Sequence, residues 1–371
     1  MPSARIQADA PAPGCEKKAS GTVPHGNVMT GRPYNSRNCG GARAAMANNL
    51  GMAILAAILS LGANQAFALT AEQINAVTFA DRPRQSGEGA DPFIVKAQVL
   101  LSRRSISPGV IDGVDGENFR KAVAQFRRQE KLGDVEDIDA QAWLKLGGDT
   151  TTDIIGEYRL SEKDAGYDFA DSIPRDYAKQ AKMKRLSYTS PEEMLGERFH
   201  MSEKLLSALN PRADYSQAGN PLRVASAARS LEAGSARRIE AVKSTGMVVV
   251  FGAGDTILAS YPATIGSEDT PSPAGDYTIE RIAKNPNYTY DPEKNFVQGK
   301  NTETLVLPPG PNGPVGTVWI ALSKPTFGIH GTPEPSRVSK TTSHGCVRLT
   351  NWDAEELASL VKPGVPVRFV D

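Results

Sequence analysis

Ser343-His344-Gly345-Cys346-Val347-Arg348-Leu349 places one of the chain's three cysteines two residues after one of its four histidines. Another histidine, His330, lies sixteen positions before that cysteine, in Gly328-Ile329-His330-Gly331-Thr332. The thiolate is the reactive form of cysteine, and a nearby imidazole can generate it. Attack by Cys346 on a carbonyl would pass through a thioester, dividing one difficult acyl transfer into two easier steps. On an extended strand His344 and Cys346 would face the same way, so spacing alone leaves either histidine as the base. No Asp or Glu lies within three residues of His330, so a backbone carbonyl is expected to orient its ring. Gly345 removes a side chain beside the sulfur, and the amides of Gly345 and Cys346 could form an oxyanion hole. Ser343 supplies a hydroxyl that can fix this loop or touch substrate. Arg348 can hold a substrate carboxylate bidentately or pair with Asp353. Tyr288 and Tyr290, in the polar run Asn-Pro-Asn-Tyr-Thr-Tyr-Asp, are expected in a lid, whose exclusion of water would decide between an amine and water as acceptor.

The other two cysteines sharpen the case for Cys346. Cys15 and Cys39 precede an apolar run, Leu50 to Leu61, followed by Ala66-Phe67-Ala68. The run is short for a spanning helix, which needs about 20 residues, and the small-x-small triplet matches a signal-peptide cleavage site. Residues 1–68 are therefore read as a signal peptide with an upstream extension, translation starting at Met29 or Met46. An exported protein, in the periplasm or cell wall, would then carry Cys346 as its one thiol after Leu69. Exported proteins pair or avoid cysteines, so an odd one points to chemistry.

Forty-two basic residues balance forty-two acidic ones, which gives no electrostatic case for nucleic acid. Ile94, Ala97 and Leu101 fall on one helical face, as do Phe119, Val123 and Phe126. A Gly- and Asp-rich loop over residues 107–116 separates these two helices, and a third helix carries Ala140, Trp143 and Leu144. Residues 149–180 read as a linker. Two short helices follow within 186–226, with flanking strands expected to complete a strand-helix-helix-strand unit. A second linker covers 225–238. Beyond Ile239 short β runs dominate: Met247–Phe251 and Thr256–Tyr261 as a hairpin, then runs at 277–279, 304–307, 317–322 and 365–370. One late helix spans Asn351 to Leu360, ended by Pro363-Gly364. The expected fold class is multidomain α+β: a small helical bundle at 91–148, a degenerate LysM-like module at 186–226, and a C-terminal, mainly-β, sandwich-like catalytic domain at 239–371.

Three stretches carry family resemblances. "AQVLLSRRSISPGVIDGVDGENFRKAVAQFRRQEKL" resembles the peptidoglycan-binding domain in which Gly-x-Asp-Gly precedes the central helix. "YTSPEEMLGERFHMSEKLLSALNPRADYSQAGNPLRV" resembles LysM, a glycan-binding fold, without its usual Gly-Asp-Thr-Leu opening. "TPSPAGDYTI", "LPPGPNGPVGTVWIAL", "FGIHGTPEPSRVSKTTSHGCVRLTNWDAEELASLV" and "PGVPVRF" together resemble the YkuD-type L,D-transpeptidase catalytic domain. That resemblance implies Cys346 as nucleophile, His330 as general acid/base oriented by the Gly331 carbonyl, and His344 shaping the site. It implies no cofactor. The donor would be a peptidoglycan tetrapeptide stem, attacked at its third residue as the terminal D-alanine leaves. Capture by the side-chain amine of a neighbouring stem gives a 3-3 cross-link. Partners would be stem peptides and glycan, the protein acting as a monomer. Relatives in the family also attach a protein to the wall or exchange the terminal D-amino acid.

Two competing readings predict different observations. Zinc held by His330, His344 and Cys346 would be a legitimate three-ligand site, and chelation would then abolish activity. A non-catalytic wall-binding protein would be expected to carry damage at the thiol or histidines, and all three residues are intact.

Overall fold

Helix-forming signals in the upstream half are local. The computed structural model describes residues 69–83, 89–227, 231–266, 272–294, 296–341 and 345–371; the signal-peptide reading of 1–68 lies outside them. Four helices open the described chain: α1 (Ala71–Ala76), α2 (Pro92–Arg103), α3 (Glu117–Gln129) and α4 (Ala140–Leu146). Asp91 caps α2, its carboxylate accepting from the amides of Phe93 and Ile94, with Pro92 in the first turn. Asp139 caps α4, and Gly147, at φ +77°, ends it in the left-handed conformation. The 107–116 loop is held by Gln98, whose Oε1 accepts from the amides of Asp112 (3.0 Å) and Gly113 (2.9 Å). Trp143 stacks on Phe93 with ring centroids 4.2 Å apart. Leu144 differs from expectation: it is 74% exposed, and Leu146 turns inward instead.

The strand that completes the next unit comes from the stretch read as a linker. Strand β1 (Ile155–Arg159) precedes short helices α5 (Glu162–Ala165) and α6 (Tyr177–Gln180). Helices α7 (Pro191–Arg198) and α8 (Glu203–Leu209) then lead to β2 (Pro221–Ala225), which pairs antiparallel with β1. Bundle and strand pair share one core, with Ile74, Leu101, Phe126, Ile154, Leu195, Leu206 and Val224 all buried in it.

The rest is built on one nine-stranded sheet. Its strands are β3 (Arg238–Val242), β4 (Met247–Phe251), β5 (Ile257–Pro262), β6 (Thr264–Ile265), β7 (Gly275–Lys284), β10 (Val318–Leu322), β11 (Gly328–His330), β12 (Val347–Arg348) and β13 (Pro366–Val370). A separate hairpin, β8 (Tyr288–Tyr290) with β9 (Leu305–Leu307), and helix α9 (Asn351–Leu360) complete the set. The order is β5-β4-β3-β13-β7-β10-β11-β12-β6. Strand β7 is long enough to pair with β13 through residues 275–278 and with β10 through 279–284, so it joins the two halves. Ile239, Val250 and Val367 from one half meet Ile279, Ile320, Ile329 and Val347 from the other, with Leu357 and Leu360 of α9, in a second core.

The two cores belong to one compact unit. Residues 105–107 extend the sheet at β5: the Ser260 amide donates to Ser105 O and the Ser107 amide to Ser260 O, both at 2.9 Å. Among the described residues no helix is long and apolar enough to cross a membrane.

Candidate active site

Two buried aliphatics decide which way the chemistry faces. Strands β11 and β12 run parallel, with Ile329 opposite Val347 and His330 opposite Arg348. Ile329 and Val347 are fully buried in the core of the sheet. Because side chains alternate across a strand, burying that pair sends His330, Arg348 and, two residues earlier, Cys346 to the opposite face. All three line one cavity of about 310 Å³. Trp319 of β10, flanked by the buried Val318 and Ile320, pairs with His330 in register and stacks on its ring at 5.5 Å. Gly328 makes this packing feasible, since a Cβ there would come within 2.7 Å of the Trp319 ring.

His330 is buried, and its Nδ1 lies 2.7 Å from the carbonyl oxygen of Gly331. A carbonyl only accepts, so Nδ1 carries the proton and Nε2 presents a lone pair. Burial drives the pKa of His330 down to about 4, with the nearby Arg348 charge acting the same way and the Gly331 hydrogen bond opposing. The ring is therefore a neutral base at neutral pH. Burial also raises the Cys346 thiol above its ordinary value, against a backbone hydrogen bond at Gly328 and the Arg348 charge. Its Sγ is 3.7 Å from the carbonyl oxygen of Thr326. Both groups facing the cavity, the Cys346 thiol and the His330 imidazole, are thus in their neutral forms at neutral pH.

Gly345 stands at φ +99°, a conformation that disfavours any side chain. Its carbonyl accepts a 2.9 Å hydrogen bond from Ser272 Oγ. Gly331 is equally constrained, because a Cβ there would meet Asn351 Oδ1 at 2.2 Å. Asn351 in turn accepts from the Thr317 amide and donates to the carboxyl oxygens of Glu197 on α7 at 3.0 and 3.1 Å.

The structure separates some expected partners. Asp353 does not pair with Arg348; it is buried and accepts from Ser107 Oγ at 2.9 Å. Among the described residues no carboxylate lies within ion-pairing distance of Arg348, whose guanidinium is left facing the cavity. Tyr288 reaches the cavity wall, whereas Tyr290 is fully buried, donating to Asn301 O and accepting from the Gln298 amide. Ser343 and His344 lie outside the described residues. Sequence reading passed over Trp319, Phe296, Glu334 and Tyr177, which also line the cavity. Trp319 had a signal, the alternation of Val318, Ile320 and Leu322 around it. Tyr177 had none.

Comparison with known proteins bears on residues 236–368, which match the YkuD family model, described as an L,D-transpeptidase catalytic domain. The YkuD protein of Bacillus licheniformis, which carries an L,D-transpeptidase name, is 34% identical over 113 residues, 30% of this chain and 53% of that one. Its Bacillus subtilis counterpart is 32% identical over 111 residues, 30% of this chain and 52% of its own. The chain thus spans about half the length of the curated relatives it matches. An L,D-transpeptidase structure from Mycobacterium smegmatis is 22% identical with a TM-score of 0.30, covering 37% of this chain and 59% of that one. L,D-transpeptidase 3 of Mycobacterium tuberculosis is 16% identical with a TM-score of 0.31, covering 42% and 66%. On the sequence matches, the C-terminal region of this chain is an L,D-transpeptidase catalytic domain of the YkuD type.

Proposed function

We propose that this protein transfers the acyl group of a peptidoglycan tetrapeptide stem to an amine through a thioester on Cys346. The observation that carries the reading is the convergence of Cys346, a neutral His330 and Arg348 on one cavity face. His330 Nε2 takes the thiol proton as sulfur attacks the carbonyl of the third stem residue. The Cys346 and Gly345 amides hold the developing oxyanion. His330 then returns the proton to the departing nitrogen of D-alanine, leaving the thioester. The side-chain amine of a neighbouring stem attacks next, His330 accepting its proton, and the 3-3 cross-linked product leaves with the thiol restored. Arg348 and Ser343 contact the donor, Tyr288 lines its channel, and His344 shapes the loop before the nucleophile. Export to the periplasm or wall by a signal in residues 1–68 fits this substrate. The upstream modules, at 91–148 and 186–226, would keep the enzyme near glycan.

The deciding measurement is intact-protein mass after incubation with a carbapenem. A single covalent adduct is expected on the unaltered protein and none on Cys346→Ala. An adduct that persists in Cys346→Ala overturns the nucleophile.

A further inference from the structure

One wall of the cavity comes from outside the region that matches the catalytic family. Tyr177 opens α6, some sixty residues before that region begins, yet its half-buried ring lines the cavity with Cys346, His330 and Arg348. It is held there from two sides. Its ring sits edge-on to Tyr290 at 5.3 Å, Tyr288 at 6.0 Å and Phe296 at 6.2 Å. Backbone and side-chain bonds tie the same segment to the loop between β8 and β9. Gln298 Nε2 donates to Arg175 O at 2.9 Å, the Tyr177 amide donates to Gln298 Oε1 at 3.2 Å, and Asn301 Nδ2 donates to Asp176 Oδ1 at 3.0 Å. Further along, the Leu186 amide donates to Pro309 O, and Leu186 packs with Tyr290 and Leu307.

We propose that Tyr177 is a substrate-binding residue of this cavity, supplied by the upstream segment and pinned by Gln298 and Asn301, so that the aromatic wall facing Cys346 is preformed. The proposal rests on the acyl-transfer reading above and adds a residue to its donor site. The ligand chemistry follows from the groups present. Arg348 offers a positive charge without a carboxylate partner among the described residues, and Tyr177 offers a hydroxyl and a flat apolar face. Together these suit a short peptide that carries a free carboxylate, as a tetrapeptide stem does. The Tyr177 phenol is pushed up to about 12 by burial, against the opposing charge of Arg348, so it stays neutral and able to donate.

The test separates binding from chemistry. Affinity for a tetrapeptide stem ending in D-alanine is measured calorimetrically on full-length Cys346→Ala, then with Tyr177→Phe, Tyr177→Ala or Gln298→Ala added. In parallel, the rate of Cys346 alkylation by iodoacetamide is measured in the same Tyr177 and Gln298 variants with the thiol present. We expect Tyr177→Ala to weaken binding about tenfold or more, with Tyr177→Phe and Gln298→Ala each costing severalfold. Alkylation, which needs no wall, stays within about twofold of the parent. Unchanged affinity in Tyr177→Phe and Tyr177→Ala overturns the proposal, and so does a loss of affinity matched by loss of Cys346 reactivity, which marks a structural role. Failure of the acyl-transfer reading has a different signature: unaltered protein that forms no carbapenem adduct while the peptide still binds.

Discussion

Two neutral groups, not an ion pair, start the proposed reaction, and pH distinguishes the cases. His330 is buried with a pKa near 4, and burial holds the Cys346 thiol up. Iodoacetamide reacts with thiolate, so its rate should be low at pH 7 and climb about tenfold per unit as pH rises toward the thiol pKa. A thiolate–imidazolium pair would instead give a flat rate from weakly acid to weakly alkaline pH, and observing that would refute the resting state described. Carbapenem acylation, assisted by neutral His330, should lose rate only as pH falls toward 4. The orienting carbonyl supplies a second check at this scale. Gly331→Ala would drive a methyl into Asn351 Oδ1, 2.2 Å from the ideal Cβ position. The expected result is a fall of about 10²-fold or more in acylation by the carbapenem, and a variant of unchanged rate would show that Gly331 does not set the ring. Cysteine and histidine chemistry was legible in the bare sequence because both residue types are rare here, and the glycines beside them stood out by their place in the same short motifs. Tyr177 was not legible, because nothing in a polar stretch of sequence records a contact made with residues about 110 positions later.

At the scale of elements, legibility followed length together with apolar pattern, so that even the three-residue β9 showed through its Leu-Val-Leu run. The strands β4, β5, β10 and β13 and the helix α9 show in the sequence because five or more residues establish a period. Strands β6, β8, β11 and β12 have two or three residues each, too few to alternate, and β1 was hidden by its mixed polarity. Those short strands are nonetheless the ones that carry the site, because parallel pairing of β11 with β12 needs only two residues to set the register. Between elements, Glu197 of α7 links the upstream half to Asn351 at the start of α9. Burial raises its pKa to about 8, against the hydrogen bonds from Asn351 and Tyr188. The folded state thus keeps a proton that the unfolded chain releases near 4.5. Stability from this group is complete below that value and is lost as pH rises through about 8. Glu197→Gln cannot titrate, so denaturant unfolding of the variant should show a flatter pH dependence between 5 and 8. The difference in slope integrates to at most about 4 kcal/mol. A variant that keeps the parent's slope would remove Glu197 as its cause.

Across the whole molecule, the upstream half and the catalytic domain meet through buried polar contacts rather than a loose tether. Ser107 Oγ donates to Asp353 Oδ2 at 2.9 Å, both residues about 2% exposed. Asn118 Nδ2 donates to Val338 O at 3.1 Å, and His200 stacks on Trp352 at 5.3 Å. A sheet extended by residues 105–107 ties the bundle loop into the backbone of β5. Contacts of this kind couple unfolding, since separating the halves would strip hydrogen bonds from groups that water does not reach. Calorimetry of a chain beginning at Leu69 should therefore give one transition whose calorimetric and van't Hoff enthalpies agree. Ser107→Ala removes a donor from a buried carboxylate and should cost about 1–3 kcal/mol, lowering that single midpoint without splitting it. Two separated transitions in the parent would mean that the halves fold independently. The placement of Tyr177 beside Cys346 would then depend on a docking equilibrium, and acylation by a stem peptide would fall once the upstream half had melted. A single transition binds the cavity wall to the fold of the whole chain, so that loss of the upstream core and loss of substrate affinity should follow the same denaturation curve.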